Sequence, residues 1–428
     1  MSLSEVPAKI SVVIPTYNRC DLLEKTLQQL TRQRLPAGEF EVIVSDDGSS
    51  DATAAVAESF SGRLQLKYTF QQDLGFRAGT ARNAGARLAT APVLAFLDTG
   101  SMVGPDFLHH HLAEHGDQAT RRVVVGYAYG WNPREPMPGL EDVLRQFAPE
   151  DAVARFRDDP AFQDERHEPF LECDFDLTRR VVPWSLFYSL NVSVQAADFW
   201  AVGGFDEQFC GWGFEDIELG FRLFRHGLSF WAARDAWVVE WPHERHHVEV
   251  NLKEAMVNLG RFLRKHPEPA VELLWLAAQT KLWSCENYYA ELGAWCRQIS
   301  GMDVADELSA ASGQIPRGDR VAVIGSGGSI PASLTDAIVM DFDKELLDQA
   351  LATGRHHGHH VVGLRTPLAD QSVDQVIITS RLAGLWGDWG GDLLAEAHRI
   401  GRNVRTFEQA GTLQRRGGRE VPPSGPAG

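Results

Sequence analysis

An alternation of short apolar runs with helix-like segments, in the first part of the chain, constrains the fold more than any other sequence feature. Four runs rich in β-branched residues have the length of buried strands: Lys9–Pro15, Glu41–Ser45, Leu66–Phe70 and Val93–Leu97. Spacing and capping signals predict helices between them, at Leu22–Arg32, Asp51–Phe60 and Thr80–Ala89. Strands that alternate with helices form a parallel α/β sheet, which binds ligands at the carboxyl ends of its strands. We therefore expect a Rossmann-like α/β domain whose site lies where these runs end.

The rest of the chain predicts further parts. Residues 100–190 are rich in Pro, Arg and Asp and indicate an irregular insertion. Helices are expected at Asn251–Lys265 and Val271–Ile299. A second strand–turn series indicates a small Rossmann-like domain, with strands at Arg320–Ile324, Ala337–Phe342, His360–Gly363 and Asp374–Thr379. The expected plan is a first domain at 1–250, a helical connector at 251–315, the small domain at 316–410 and a disordered tail at 411–428.

Composition narrows the function classes. The net charge of −17 over 428 residues gives an acidic surface, which argues against binding to nucleic acid or anionic lipid. The five cysteines are scattered without CxxC spacing, which indicates reduced thiols in a cytoplasmic protein. No signal-peptide pattern is present, and no apolar run approaches the ~20 residues of a membrane helix. We therefore expect a packed cytoplasmic protein with neither a nucleic-acid nor a membrane partner.

Short motifs follow one another in a fixed order: Pro15–Asn18, Asp46–Ser49, Gly75–Gly85, Asp98–Gly100, Gly203–Glu207 and Trp212–Asp216. Together they resemble the GT-A-fold glycosyltransferases of family 2, with a galactosyltransferase-type carboxy-terminal segment. The resemblance covers roughly residues 8–250. It implies a GT-A domain with a Rossmann-like mixed sheet, and an enzyme that transfers a sugar from a nucleotide donor with inversion.

A sugar nucleotide requires a wall and a hydrogen-bond acceptor for its base, and positive charge or N–H groups for its diphosphate. Tyr17 and Asp47 can contact the nucleotide base, and the residue at the position of Asp47 contacts uracil in similar enzymes. Arg77 and Arg82 lie in a glycine-rich segment that leads into a helix. The predicted donor residues are Pro15, Tyr17, Asp47, Arg77, Arg82, Asp98, Thr99 and Gly204. The first alternative is that Asp47 and Ser49 only form a turn and cap the next helix. The second is that the glycine-rich segment holds only a solvated arginine and a capped helix.

The Asp98–Gly100 motif departs from the family pattern Asp-x-Asp. The second aspartate of that pattern usually ligates Mg²⁺ or Mn²⁺, and Gly100 offers no side-chain ligand. The resemblance still implies a divalent cation. Asp98 can accept a hydrogen bond from the ribose or reach a metal through water, and Mg²⁺ retains water in much of its shell. A histidine lies nearby in similar enzymes, so His243 is the first candidate for a further ligand and His246 the second. The alternative is a surface histidine cluster and a diphosphate held by arginines.

Glu215 and Asp216 are the predicted catalytic residues. Inverting transfer requires a base opposite the leaving diphosphate, and Asp216 holds the base position of the motif that it resembles. Glu215 would orient the acceptor, with Trp212 as a platform for its ring and Trp184 as a further contact. Both carboxylates begin a predicted helix at Glu215–Arg225, whose dipole is expected to lower their pKa values. The alternative is a helix-capping acidic pair without chemistry.

The small domain resembles half of a class I methyltransferase. Val321–Ser329 is similar to the glycine-rich first motif, Asp341 to the ribose-binding acid and Val373–Ile378 to the adenine-side strand. The unit spans only ~95 residues, below the usual ~100–150, and lacks the closing strands. We therefore expect this small domain to be degenerate, with a structural or dimerising role. A dimerising role predicts a homodimer that forms through this domain.

The Asp-Thr-Gly departure, together with the appended domain, resembles glucosyltransferases of aminocyclitol antibiotic biosynthesis. That resemblance implies UDP-glucose as the donor, a small hydroxylated aminocyclitol as the acceptor and a β-glucoside as the product. Three alternatives stay open: a non-catalytic sugar-nucleotide or glycan-binding module, a bifunctional transferase and methyltransferase, and a polysaccharide synthase. The lack of an apolar run of membrane-spanning length counts against the last.

Overall fold

The computed structural model describes residues 7–116, 121–130, 132, 137–242 and 248–407, and the chain divides into two compact units. The first unit comprises Met1–His266 and Leu273–Glu291, and the second comprises Pro267–Glu272 and Leu292–Gly428. The first unit therefore includes the helix at 251–265 that the sequence analysis assigned to a connector. The tail at 411–428, for which disorder was expected, lies outside the described residues.

The first unit is built on a mixed sheet that has eight strands among the described residues, in the order β3-β2-β1-β4-β7-β6-β8-β5. The strands are β1 (Ile10–Thr16), β2 (Phe40–Asp46), β3 (Leu66–Phe70), β4 (Val93–Leu97), β5 (Ser101–Val103), β6 (Arg122–Tyr129), β7 (Asn191–Gln195) and β8 (Ser229–Glu240). Strands β1 to β4 are parallel, whereas β7 is antiparallel to both of its neighbours, β4 and β6. This is the mixed Rossmann-like sheet of a GT-A fold, so the predicted fold class is confirmed.

The helices that precede residue 300 lie between these strands and after them. They are α1 (Cys20–Leu30), α2 (Thr53–Phe60), α3 (Ala78–Leu88), α4 (Phe107–Glu114), α5 (Leu140–Gln146), α6 (Pro149–Phe156), α7 (His167–Glu172), α8 (Ala196–Ala201), α9 (Glu215–Arg225), α10 (Val248–Lys265), α11 (Pro269–Glu272), α12 (Leu274–Ala277) and α13 (Cys285–Gln298). The strands and helices predicted before residue 98 are confirmed, and α9 has the predicted bounds.

Two sequence predictions in this part of the chain are wrong. Residues 100–190 are not irregular, since they contain β5, α4, β6 and three short helices. Strand β6 lies inside the sheet, between β7 and β8, and has apolar side chains on both faces, so no polar alternation marks it. The single helix predicted at Val271–Ile299 is three helices, because Gln279 and Thr280 bond back three residues to Leu276 and Ala277 and end α12.

The second unit is a smaller, wholly parallel sheet with the strand order β11-β10-β9-β12-β13. Its strands are β9 (Val321–Ile324), β10 (Ile338–Met340), β11 (His357–His359), β12 (Val373–Ile378) and β13 (Gly401–Thr406), and its helices are α14 (Ala305–Ser312), α15 (Lys344–Leu351) and α16 (Trp386–Ile400). The predicted small Rossmann-like domain is confirmed. The strand predicted at His360–Gly363 is wrong, because the backbone N–H groups from Val362 to Arg365 donate to the carboxylate of Glu272 instead of a neighbouring strand.

No helix in the described part of the chain combines the length and the apolar character that crossing a membrane requires. The cysteines are free thiols, at Cys20, Cys173, Cys210, Cys285 and Cys296. Burial raises the pKa of the Cys173 and Cys285 thiols, so both are held in the protonated, unreactive form.

Candidate active site

A buried arginine joins three elements at the carboxyl edge of the first sheet. Arg82 lies on α3 and donates to the carboxylate of Asp98, which follows β4, at 2.8 Å and to that of Glu215, which begins α9, at 3.3 Å. The Arg82 side chain is 5% exposed, whereas that of Asp98 is 41% exposed. Gly79 permits the close approach of the helices, because a Cβ atom there would lie 3.3 Å from Cβ of Phe205 and 3.7 Å from Cγ of Glu215. Two predicted donor residues and one predicted catalytic residue are thus brought together.

Asp216 lies beside this ion-pair network. Its carboxylate accepts hydrogen bonds from the backbone N–H groups of Ile217 at 2.8 Å and of Ser189 at 3.2 Å. Burial and the negative charge of Glu215 raise the pKa of Asp216 to about 7, although the charge of Arg82 lowers it. The expectation that the helix dipole lowers this pKa is therefore wrong, because desolvation and the neighbouring carboxylate outweigh the dipole. A carboxylate with such a pKa is suited to accept a proton near neutral pH.

Helix α9 begins without a side-chain cap. Phe214, which precedes it, has a left-handed backbone conformation with φ of 68° and makes no capping hydrogen bond. Oε1 of Glu215 accepts from Arg82, while Oε2 is buried and has no hydrogen-bond partner among the described residues. The alternative of a helix-capping pair is therefore not supported, since neither carboxylate occupies the N-cap position of α9.

The residues predicted to contact the nucleotide base form a second group. Tyr17 follows β1, its ring is 46% exposed, and its hydroxyl donates to Asp73 at 2.9 Å. Asp47 follows β2 and accepts from the backbone N–H of Arg77 at 2.8 Å and from the side-chain amide of Gln71. Burial raises the pKa of Asp47, although the hydrogen bonds from Gln71 and Arg77 lower it. The Arg77 guanidinium lies 3.7 Å from the Asp47 carboxylate, so the structure brings these predicted donor residues together.

The turn after β2 is held by Asp46 and not by Asp47. One oxygen of Asp46 accepts from the backbone N–H groups of Gly48 at 3.0 Å and Ser49 at 2.7 Å, and the other accepts from the Tyr68 hydroxyl at 2.6 Å. The alternative that Asp47 merely forms this turn is therefore wrong, because a different carboxylate makes the turn contacts. The Asp47 side chain faces the Arg77 segment instead.

The Asp98–Gly100 turn is fixed from two sides. The Thr99 hydroxyl donates to the Pro15 carbonyl at 2.8 Å and so ties the end of β4 to the end of β1. The carbonyl of Gly100, whose φ is +99°, accepts from the backbone N–H of Trp241 at 3.0 Å. The chain that follows β8 therefore leaves the sheet directly beside the predicted donor and metal residue.

Asp98 is the candidate metal ligand that the structure describes. Its carboxylate is partly exposed, so it can contact an ion although one oxygen accepts from Arg82. His243 and His246, the predicted further ligands, lie outside the described residues. Within the described ranges, no group of three or more His, Cys, Asp and Glu side chains could hold a metal ion.

The two predicted acceptor tryptophans differ sharply in exposure. Trp212 lies in the turn before α9, and 44% of its surface is exposed. Trp184 is 1% exposed and packs edge-on against Phe221 and Phe262, with ring centroids 5.2 and 6.0 Å apart. The predicted acceptor contact of Trp184 is wrong, because a ring enclosed in the core cannot pack on a sugar.

Asn83 is a site residue that the sequence analysis missed. Its side chain donates to the carbonyl of Phe205 at 2.8 Å and accepts from the Phe205 N–H at 2.9 Å, so it pairs α3 with the segment before α9. Gly204 is buried against it, since a Cβ atom there would lie 2.6 Å from Oδ1 of Asn83. A side chain at position 204 would therefore collide with Asn83, and the approach of Gly204 to the donor stays a prediction. The sequence analysis noted the Ala-Arg-Asn-Ala-Gly motif that contains Asn83. It could not predict the contact, because Phe205 lies 122 residues later in the chain.

The second unit does not fit the nucleoside cofactor that its resemblance implies. Asp341, the predicted ribose ligand, is fully buried and accepts from Nε and Nη2 of Arg381 at 2.9 and 3.1 Å, and from the Gly327 N–H at 2.8 Å. Neighbouring side chains also press on the glycine-rich loop, where a Cβ atom on Gly325 would lie 2.4 Å from Leu382. The chain's own groups thus make the contacts that a ribose would need.

Comparisons with known proteins support the motif assignment. The family model described as glycosyl transferase family 2 matches residues 11–183, and that described as the N-terminal domain of galactosyltransferase matches residues 170–247. The chain is 46% identical over 416 residues to a validoxylamine A glucosyltransferase of Streptomyces hygroscopicus subsp. jinggangensis, which covers 94% of this chain and 97% of that protein.

Other relatives match a smaller share of the chain. A hyaluronan synthase of Pasteurella multocida is 31% identical over 227 residues, which cover 52% of this chain and 23% of that protein. Among solved structures, S. aureus TarS (residues 1–349) in complex with UDP-GlcNAc is 19% identical with a TM-score of 0.45, covering 62% of this chain and 66% of that chain.

We predict that S-adenosylmethionine does not bind to the second unit, because Arg381 already satisfies the Asp341 carboxylate. Isothermal titration of the full chain should give no saturable heat with this cofactor, and its thermal unfolding midpoint should stay unchanged. A saturable heat with one site per chain would contradict the assignment and restore the bifunctional alternative.

Proposed function

This chain belongs to glycosyl transferase family 2, and we propose that it transfers glucose from UDP-glucose to a hydroxyl group of an aminocyclitol, with inversion at the anomeric carbon. As a member of that family it is a glycosyltransferase. The choice of glucose and of an aminocyclitol extends to this chain what the name of its relative, 46% identical over 94% of this chain, says of that protein. The choice of a uridine nucleotide rests on the family resemblance, because the residue at the position of Asp47 contacts uracil in similar enzymes.

The position of Asp216 beside the Arg82 network carries the proposal. In the proposed reaction the acceptor oxygen forms a bond to the anomeric carbon while the bond from that carbon to the diphosphate breaks and UDP leaves. Asp216 takes the proton of the acceptor hydroxyl, for which its raised pKa suits it. Glu215, whose Oε2 has no partner among the described residues, accepts a hydrogen bond from the acceptor and orients it.

The donor in this proposal lies across the ends of β1, β2 and β4. The exposed ring of Tyr17 forms a wall for uracil, and Asp47 accepts from its ring N–H. Arg77 and Arg82 face the diphosphate, because Arg82 already lies beside Asp98 at the end of β4. A buried guanidinium there stabilises the negative charge that develops on the leaving group.

We also propose a divalent cation, Mg²⁺ or Mn²⁺, with Asp98 as one ligand and His243, or else His246, as another. When bound, the cation would neutralise charge on the departing diphosphate. Arg82 supplies positive charge beside Asp98 where Gly100 leaves out the second aspartate of the family pattern. In this proposal the cation and Arg82 share the neutralisation of the diphosphate charge.

The proposed acceptor is a small polar molecule. In this proposal the protein has neither a nucleic-acid nor a membrane partner. Trp212, exposed in the turn before α9, provides an apolar face for the C–H groups of its ring. The homodimer contact through the second unit, and the cytoplasmic location, stay predictions from the sequence.

Replacing Asp216 by Asn should lower the rate of acceptor-dependent UDP release by roughly 10²- to 10⁴-fold, because the amide cannot take the proton. UDP release from UDP-glucose with validoxylamine A as acceptor measures this. Asp158→Asn is the matched control, since the Asp158 side chain is 89% exposed and should leave the rate unchanged. A rate in Asp216→Asn within threefold of the parent enzyme would reject Asp216 as the base, and binding without any transfer in the parent would favour the non-catalytic module.

A donor panel in thermal-shift measurements tests the nucleotide and the metal together. UDP-glucose should raise the unfolding midpoint more than GDP-mannose or dTDP-glucose, since a ligand at 100 times its Kd stabilises by ~2.7 kcal/mol. Addition of Mg²⁺ should enlarge the shift with UDP-glucose, and chelation should reverse that gain. Equal shifts for all three donors would overturn the donor assignment, and an unchanged shift with Mg²⁺ would overturn the metal.

A further inference from the structure

Helix α10 presents a polar stripe to the segment that carries the proposed acceptor and catalytic residues. Glu254, Asn258, Arg261 and Lys265 are spaced four, three and four residues apart, which places them on one face of the helix. Each of them contacts the chain between residues 206 and 218. The sequence analysis treated this helix as a connector, but its contacts are those of a support for the acceptor turn.

The Gly-Trp-Gly turn is clamped at the Trp212 peptide. The Glu254 carboxylate accepts from the Trp212 N–H at 2.8 Å. The side-chain amide of Asn258, which is fully buried, donates to the carbonyl of Gly213 at 2.9 Å and reaches that of Gly211 at 3.4 Å. Three hydrogen bonds from two residues of α10 thus surround the tryptophan.

The two glycines let the backbone lie directly against α10. Gly211 and Gly213 have φ values of +80° and +93°, which favour glycine. A Cβ atom on Gly211 would lie 2.9 Å from the Glu254 carboxylate, and one on Gly213 would lie 3.2 Å from Cβ of Ala255. The turn therefore has no room to move towards the helix, and its hydrogen bonds oppose movement away from it.

The other end of the stripe holds the catalytic helix. Lys265 donates to Asp206 at 2.8 Å and to Glu218, one turn beyond Glu215, at 2.6 Å. His266 contacts the same Glu218 oxygen at 3.0 Å. Although burial raises it, these hydrogen bonds and that of Arg222 lower the pKa of Glu218 to about 2. The charged contact at this end and the clamp at Trp212 fix both ends of the segment to one rigid helix.

We propose that α10 sets the acceptor affinity of this enzyme, with Glu254 and Asn258 as positioning residues that hold the Trp212 indole where the acceptor ring packs. Neither residue takes part in the chemical step in the proposed reaction. The inference rests on the proposed function for the identity of the acceptor, but the hold of α10 on the turn does not depend on it. Loss of the clamp should raise the KM for the acceptor and leave donor binding unchanged.

Four variants separate positioning from general damage. Glu254→Met removes the acceptor of the Trp212 N–H, whereas Glu254→Gln keeps an oxygen in its place. Asn258→Asp keeps the shape of the side chain but cannot donate to the two glycine carbonyls. Val257→Ala is the control within the same helix, because Val257 is 61% exposed to solvent.

Hydrogen exchange of the Trp212 amide and steady-state kinetics with varied acceptor are the two readouts. Glu254→Met and Asn258→Asp should speed that exchange and raise the acceptor KM by roughly tenfold each, while the Kd for UDP-glucose stays unchanged. Glu254→Gln and Val257→Ala should match the parent protein in both readouts.

Unchanged exchange in Glu254→Met and Asn258→Asp would overturn the clamp, and faster exchange with an unchanged acceptor KM would overturn its role in acceptor affinity. Absence of transfer by the parent protein would count against the proposed function, and the exchange readout would still decide whether α10 holds the turn.

Discussion

The guanidinium of Arg82, enclosed between the carboxylates of Asp98 and Glu215, is the interaction on which the site depends. A buried charge is costly unless it is paired and hydrogen-bonded, so the arginine requires both partners to stay in place. Asp98 follows β4 on the proposed donor side, and Glu215 begins α9 on the proposed acceptor side. The same network also acts on the next residue: burial raises the pKa of Asp216 most, the charge of Glu215 raises it further, and the charge of Arg82 lowers it. In the proposed reaction, donor binding, acceptor orientation and the base are therefore joined through one side chain.

The parts that could be predicted from the sequence are those encoded locally. Buried strands β1, β2 and β4 are continuous apolar runs, and the residues just past them are at the site for that reason alone. The bounds of α9 followed from Glu215 at its start and from its apolar spacing. The rule that site residues follow the strand ends also applies to Gln71 and Asp73, which follow β3. They were missed because β3 is less buried and the two residues belong to no motif.

What the sequence could not predict depends on contacts between distant segments. The exposure of Trp184 and Trp212 differs because one packs on Phe221 and Phe262, and no local pattern separates them. The direction of the Asp216 pKa shift required knowing how much burial outweighs the helix dipole. Likewise, α10 looked like a connector because its partners, the glycines of the turn before α9, are more than forty residues earlier in the chain.

The pH dependence of kcat/KM for the acceptor tests this account most directly. Asp216 must be ionised to take a proton, and its raised pKa means that the ionised fraction falls as the pH drops below about 7. The rate constant should therefore fall about tenfold for each pH unit below an inflection near 7, and level off above it. A profile that stays flat down to pH 5 would contradict the account, because it would mean a base with the pKa of an ordinary aspartate, or no such base at all.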